Sequence, residues 1–344
     1  MVSLGLTALI VVYRNRIDKR VLLITGIYTV LLFMNLTVGI TNYGLDERVF
    51  ENLLMQSFIL AFPLYSIFIK TKKDVKLVIR LFKYAALIMA VGYLLLIVAI
   101  LLGFINFLDL LLFLSNKPEF LGRGTFGFFY KGFIYMCGGF FFLSTLESKS
   151  GSRIKEVLVI IAIILTFMRG FLLAMFAAFL IYYFFFVNKL RAILLMTLGA
   201  FALTFYIVAV NTQVEGRDKS DSVRYVQIEE VFEEVDIVSF FIGHGFGEGV
   251  PVRPNHLEIN FLEIFHKQGI FALLFWASLL YYVISLYRRL RNTKNEWMAR
   301  PFFLVTLFLY IQSMTNPFLT NSMGMNILFI SIIVMQVLDS ANKE

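Results

Sequence analysis

The sequence predicts an all-α fold: a polytopic transmembrane helical bundle of ten or eleven spans, with one long outer loop containing an amphipathic helix. Two observations carry this. Of the 344 residues, 59% are hydrophobic and only 16% are charged, where a soluble domain has roughly 45–50% and about 25%. Mean hydropathy is +0.81. The apolar residues also gather in runs long enough to cross a bilayer, which takes about 20 residues. A soluble two-domain enzyme and a disordered chain are both excluded, the latter because disordered chains lack apolar surface. The single cysteine, Cys137, lies in an apolar run and leaves no intramolecular disulfide.

Ten runs follow one another, over residues 21–40, 53–69, 84–105, 127–146, 157–168, 170–187, 192–210, 269–286, 301–316 and 323–338. An eleventh, 2–13, reads as a short span, an interfacial helix or a retained signal-like stretch. Positive charge marks cytoplasmic loops. Segments 14–20, 70–83, 147–156, 188–191, 288–300 and the tail hold 21 of the 31 Lys/Arg, all on one side if ten spans alternate. That places the C-terminus inside. The N-terminus is inside with ten spans and outside with eleven. Residues 1–344 then form a single transmembrane domain, with 41–52, 106–126 and the long loop 211–267 on the outer side.

Residues 211–263 carry four Lys/Arg against eleven Asp/Glu, a net of −7 in a chain of net +8. The overall basic balance is therefore a topology signal, and nucleic acid is not an expected partner. Two cations interrupt the apolar stretches: Lys131 lies a few residues into a predicted span, and Arg169 lies between the two short spans 157–168 and 170–187. An ionisable group there costs roughly 2.5–3.5 kcal/mol on insertion scales, so it faces a cavity or a partner, or else snorkels to the outer headgroups. Both readings stand for each residue.

The outer loop is patterned. Val223, Val226, Val231, Phe232, Val235 and Val238 recur at helical spacing, with Glu229, Glu230, Glu233, Glu234 and Asp236 between them. Residues 222–238 read as an amphipathic helix on the membrane surface or capping the bundle, its carboxylates in solvent. Arg224 sits near its start, where the helix dipole disfavours a cation, which calls for another partner. The run Gly243-His244-Gly245-Phe246-Gly247-Glu248-Gly249 suits either a phosphate cradle of backbone N–H groups or a flexible turn. Neither a P-loop nor a dinucleotide fingerprint fits it. Glu263 and His266 have the Glu-x-x-His spacing of carboxylate metal sites. No matching ligands stand on other helices, so neither a metal nor another cofactor is expected. Asp-x-Asp, His-Glu-x-x-His and Gly-x-Ser-x-Gly motifs are absent.

Arginines near the outer edge, namely Arg123, Arg169, Arg217, Arg224 and Arg253, with Lys131 nearby, suit a diphosphate or another polyanion, because a planar guanidinium binds phosphate bidentately. A lipid-linked pyrophosphate would place its head at that depth and its tail among the helices. A histidine or glutamate could act as general base toward an incoming hydroxyl, with arginines stabilising the leaving pyrophosphate.

Four stretches within about residues 120–290 carry a family resemblance. They are Gly122-Arg123-Gly124-Thr125-Phe126-Gly127; Phe167-Met168-Arg169-Gly170-Phe171-Leu172-Leu173-Ala174; Asp221-Ser222-Val223-Arg224 followed by Phe241-Ile242-Gly243-His244-Gly245-Phe246-Gly247; and His256 with Asn260-Phe261-Leu262-Glu263 leading to Gly269-Ile270. In order and in side of the membrane, the chain resembles the bacterial O-antigen polymerase and O-antigen ligase family of membrane glycosyltransferases.

The resemblance implies that Arg169 and Arg224 contact the pyrophosphate of an undecaprenyl-linked glycan, and that His256 sits at the catalytic centre. The ligase branch places a glycine eleven residues after the histidine. Here Glu258 holds the position eleven before Gly269, which makes Glu258 a second candidate base. His244 and His266 are as readily structural as catalytic. The implied activity is polymerisation of lipid-linked repeat units on the outer face of the bacterial inner membrane. Donor and acceptor would both be lipid-linked oligosaccharides, with a chain-length regulator protein as a further implied partner. A ligase transferring the glycan to a lipid core is the close variant. A lipid-linked-glycan flippase would be expected to show internal repeats and mid-membrane charges, and neither is evident. A purely structural membrane component would leave Arg169 unexplained.

Overall fold

The computed structural model describes residues 17–115, 120–123, 127–146, 150–213, 217–247 and 249–343. Segment 2–13, the Gly124-Thr125-Phe126 stretch and Glu248 of the glycine run lie outside them. In chain order the helices are α1 (Lys19–Tyr43), α2 (Glu47–Gln56), α3 (Phe62–Phe68), α4 (Lys72–Leu101) and α5 (Phe107–Ser115). A hairpin of β1 (Phe120–Arg123) and β2 (Gly127–Tyr130) follows. Then come α6 (Phe133–Leu146), α7 (Ser150–Leu165), α8 (Arg169–Tyr182), α9 (Lys189–Gln213), α10 (Arg217–Glu234), α11 (Ile237–Ile242), α12 (Asn260–Leu290), α13 (Glu296–Gln312) and α14 (Ser322–Ser340).

Among the described residues, α1, α4, α8 with the turn after it, α12 and α14 are long and apolar enough to cross a membrane. The protein is an all-α, multi-pass membrane protein. By its internal contacts the chain divides into two compact units. One comprises Met1–Val75, Asp218–Ala299 and Gln312–Glu344; the other comprises Lys76–Arg217 and Arg300–Ile311.

In the first unit, α1 starts where the Asp18 carboxylate accepts from the Arg20 backbone N–H at 2.7 Å, a side-chain N-cap. Residues 53–69, expected as one span, are instead the end of α2, a 3₁₀ turn (Ser57–Ala61) and α3. Two features break the run. Pro63 in the first turn of α3 starts a helix but cannot continue one. Gln56, buried at the end of α2, bonds Tyr28 of α1 and Gln268 of α12. A buried polar side chain needs such partners.

The expected helix 222–238 ends early, at Glu234. Asp236 opens α11 instead: its carboxylate accepts from the Ser239 N–H at 2.6 Å, while the Asp236 N–H bonds the Ser239 hydroxyl at 2.9 Å. This reciprocal capping box outcompetes continuation of α10. The apolar stripe is also only partly inward. Val231 is buried in a small core with Val250, Leu257, Leu262 and Phe265, whereas Phe232 and Val238 are exposed.

α12 is two pieces. Gly269 has φ +69°, a non-helical residue inside the run. Residues 260–268 form a foot, and the expected span begins at the break. A Cβ at Gly269 would lie 2.3 Å from the Phe241 carbonyl oxygen. Only glycine tolerates both that angle and that approach. Asn260 ties the foot to the segment before α14. Its Oδ1 accepts from the Leu319 N–H at 2.8 Å and its Nδ2 donates to the Thr320 hydroxyl at 2.7 Å.

In the second unit, the expected span 127–146 begins as β2 rather than helix. The aromatic stretch Gly127-Phe128-Phe129-Tyr130 pairs antiparallel with β1, Phe120 opposite Tyr130. Their rings stack at 4.7 Å, an aromatic cross-strand pair of the kind that favours sheet over helix. Between α7 and α8 the chain breaks at residues 166–168. Phe167 takes φ 54°, rare for a bulky residue. The Thr166 hydroxyl bonds the Ile163 carbonyl at 2.6 Å and ends the helix.

Candidate active site

The outer-loop residues of the first unit converge on the foot of α12. Glu258 is held between two arginines. Its Oε2 lies 2.9 Å from Nε of Arg224, and its Oε1 accepts from a guanidinium N–H of Arg253. The Glu258 backbone N–H donates to Oε1 of Gln227 at 2.9 Å, and Gln227 is buried. One turn along α10, Glu230 Oε2 accepts from the Val252 N–H at 3.0 Å. α10 thus holds segment 252–258 by its backbone. Arg224 near the start of α10 does have the partner its position called for.

Five residues on, a second cluster is more deeply set. Glu263 Oε1 lies 2.9 Å from Nδ1 of His256 and 3.0 Å from Nζ of Lys267. Lys267 has 0% exposure. Its ammonium also donates to Asn52 Oδ1 of α2 and to the Asn255 carbonyl, each at 3.0 Å. All three ammonium protons therefore have acceptors, as a buried charge requires. The His256 side chain is 36% exposed, and its Nε2 has no partner among the described residues.

The glycine run is neither a phosphate cradle nor a flexible turn. The N–H groups of His244 and Gly245 donate to the His266 and Lys267 carbonyls, each at 2.9 Å, and that of Phe246 to the Asn35 carbonyl at 3.1 Å. Gly243, at φ +73°, passes so close that a Cβ there would meet the Lys267 carbonyl carbon at 2.3 Å. These glycines let one backbone lie against another. His244 points both ring nitrogens at backbone carbonyls, His266 at 3.1 Å and Glu234 at 3.2 Å, and stacks on His266 at 4.6 Å. Glu263 and His266 therefore face different partners and do not act as a Glu-x-x-His pair.

The five acidic residues of 222–238 are not simply in solvent, since Glu230 and Asp236 hold backbone. Burial pushes the Glu234 carboxyl up from the usual carboxylate range, His244 opposing and Glu230 adding to it.

Of the candidate site residues read from sequence, the structure brings Arg224, Arg253 and Glu258 together and sets His256 against Glu263. The others lie in the second unit or at its edge. Arg169 is half-buried at the N-terminus of α8, directly after the break at Phe167. Arg123 ends β1, and Arg217 opens α10. Lys131 is exposed in the turn after β2, and not inside a span as expected. Sequence reasoning missed Lys267, Asn52 and Gln227, and took Glu263 only as a metal-type motif. One signal was available for Lys267: Glu263 and Lys267 are four apart, one turn of a shared helix face.

A Shigella flexneri protein named O-antigen polymerase is 30% identical to this chain over 246 residues, which is 70% of this chain and 60% of that protein. The chain is a distant relative of that polymerase. It spans about 60% of the relative's length. No family model and no solved structure matches the chain. The motif resemblance read from residues 120–290 is thus joined by a similarity that extends over most of the sequence.

Proposed function

We propose that the protein is a polysaccharide polymerase, a membrane glycosyltransferase that joins lipid-linked oligosaccharide repeat units on the outer face of the inner membrane. The observation that carries this reading is the arrangement at His256 in a chain related to a protein named O-antigen polymerase. A carboxylate accepts at Nδ1, and Nε2 stands open on a half-exposed ring. That is the geometry of a general base oriented by an acid. His256 is therefore the preferred base over Glu258, whose two oxygens are both engaged by arginines.

An acceptor hydroxyl donates its proton to Nε2 of His256 while its oxygen bonds to the anomeric carbon of the donor glycan. The bond from that carbon to the undecaprenyl pyrophosphate oxygen breaks, and the pyrophosphate leaves with the electron pair. A direct displacement of this kind inverts the anomeric centre. Arg224 and Arg253 supply the positive charge for the leaving group in place of a metal ion. On the sequence alone, Arg169, Arg123, Arg217 and Lys131 are further proposed contacts of the pyrophosphate or the glycan.

The test is to replace Arg169, Arg224 and His256 singly by Ala and follow glycan length on gels in cells that make the repeat unit. The reading expects single-repeat products with normal membrane insertion. Full-length polymer from all three variants would overturn it. Repeat units retained on the cytoplasmic face would instead mark a flippase.

A further inference from the structure

Among the described residues of the first unit, Lys267 is the most deeply buried charged group, and the polymerisation chemistry above makes no use of it. Three observations bear on its role. A carboxylate can only accept, so the 2.9 Å contact to Glu263 makes Nδ1 of His256 the protonated nitrogen. The neutral ring then carries its lone pair on Nε2, which has no partner among the described residues. The same carboxylate oxygen is gripped by Lys267 at 3.0 Å, which fixes the carboxylate's rotation. Lys267 also donates to the carbonyl of Asn255, the residue before His256. It therefore anchors His256 twice, through the ring's partner and through the adjoining backbone. Asn52, from a different helix, takes the third ammonium proton.

A buried ion pair alone is poor evidence of stabilisation, because an apolar pair of equal volume often does as well. What distinguishes this one is its contact with a half-exposed histidine whose other nitrogen is open.

We propose that Glu263 and Lys267 are positioning residues for His256, Glu263 fixing its tautomer and Lys267 fixing Glu263. The inference rests on the polymerase reading and deepens it. Among the described residues, the charged groups that interact with His256 are Glu263 and, behind it, Lys267, both on α12, while α2 contributes the neutral Asn52 to Lys267. His266 and His244 are the next titratable groups beyond them, and Glu258 with Arg253 lies on the segment that carries His256 itself.

The test uses the full chain reconstituted in lipid nanodiscs, with a lipid-linked repeat unit as substrate, measuring kcat, KM and the pH–rate profile for wild type, H256A, E263Q, E263D and K267M. For E263Q the expected result is a fall in kcat of about 100-fold, with KM within about twofold and partial recovery in E263D. The acidic limb of the profile should move in opposite directions. In E263Q it moves to lower pH, because the imidazolium loses its carboxylate. In K267M it moves to higher pH, because the carboxylate's whole charge then acts on the ring. Should K267M fail to accumulate in membranes, E263Q and E263D carry the test. If wild type forms no polymer, the reading and the inference fall together. If H256A is inactive while E263Q keeps its kcat, or loses it with an unmoved pH profile and no recovery in E263D, the inference alone falls.

Discussion

Glu258 and Glu263 are five residues apart, and each is held between two nitrogen-bearing side chains. Glu258 lies between Arg224 and Arg253, with side chains 22–43% exposed. Glu263 lies between His256 and Lys267 and is itself 8% exposed, with Lys267 at 0%. The outer cluster is open to water, with each of its side chains partly exposed and its ion pairs only weakly held. The inner cluster is dry, and every proton of its ammonium is committed. An anion arriving from solvent can compete with Glu258 for the arginines at little cost. It cannot compete for Lys267 without exposing a buried charge. On the proposed reading, the outer cluster recognises an anionic group and the inner one holds a base in place.

Activity separates the two clusters most strongly. Replacing His256 by Ala should lower turnover by about 10²- to 10⁴-fold, the usual worth of a general base. Replacing Glu258 by Ala should cost about 10-fold or less and appear mainly in KM for the lipid-linked donor. Initial rates on a lipid-linked repeat unit measure both. A larger loss from Glu258 than from His256 would exchange the roles of the two clusters.

Stability should separate the clusters in the opposite sense to their accessibility. Removing one partner of a buried ion pair costs about 3–5 kcal/mol, and an exposed pair is worth about 0.2–1 kcal/mol. Lys267→Met should therefore unfold far more readily than Arg253→Ala in detergent melts. Equal melting points would mean that water reaches the inner cluster as freely as the outer one.

Sequence patterning made the apolar helices legible, because a bilayer imposes a simple rule on length and hydropathy. It misplaced elements where local chemistry overrides that rule. At 53–69 the override is Pro63 and the buried Gln56; at 127–130 it is aromatic cross-strand pairing; at Glu234 it is the Asp236–Ser239 capping box. The outer cluster was half legible, since an arginine at a helix start signalled a missing partner. The inner cluster was not. Lys267 sits two residues before an apolar span and reads like an ordinary interfacial anchor. Only the fold brings Asn52 and the Asn255 carbonyl to it. Likewise, alternating glycines in sequence do not tell anion binding from backbone packing. The close approach of Gly243 to Lys267 decides it.

Glu234 offers the smallest test, because it is a carboxylate of the same region with no arginine beside it. Burial raises its folded value above the ordinary 4.5, so the folded protein binds more protons than the unfolded chain in the window just above that pH. Stability must then fall as pH rises through that window, and it is regained on acidification. Glu234→Gln removes the group that titrates. Its melting temperature should match that of wild type near pH 4 and exceed it slightly at pH 7. The opposite result, a variant less stable at pH 7, would show that the attraction of His244 outweighs the desolvation of the Glu234 carboxylate. Glu234 would then resemble Glu263, a carboxylate that Lys267 and His256 hold ionised despite its burial.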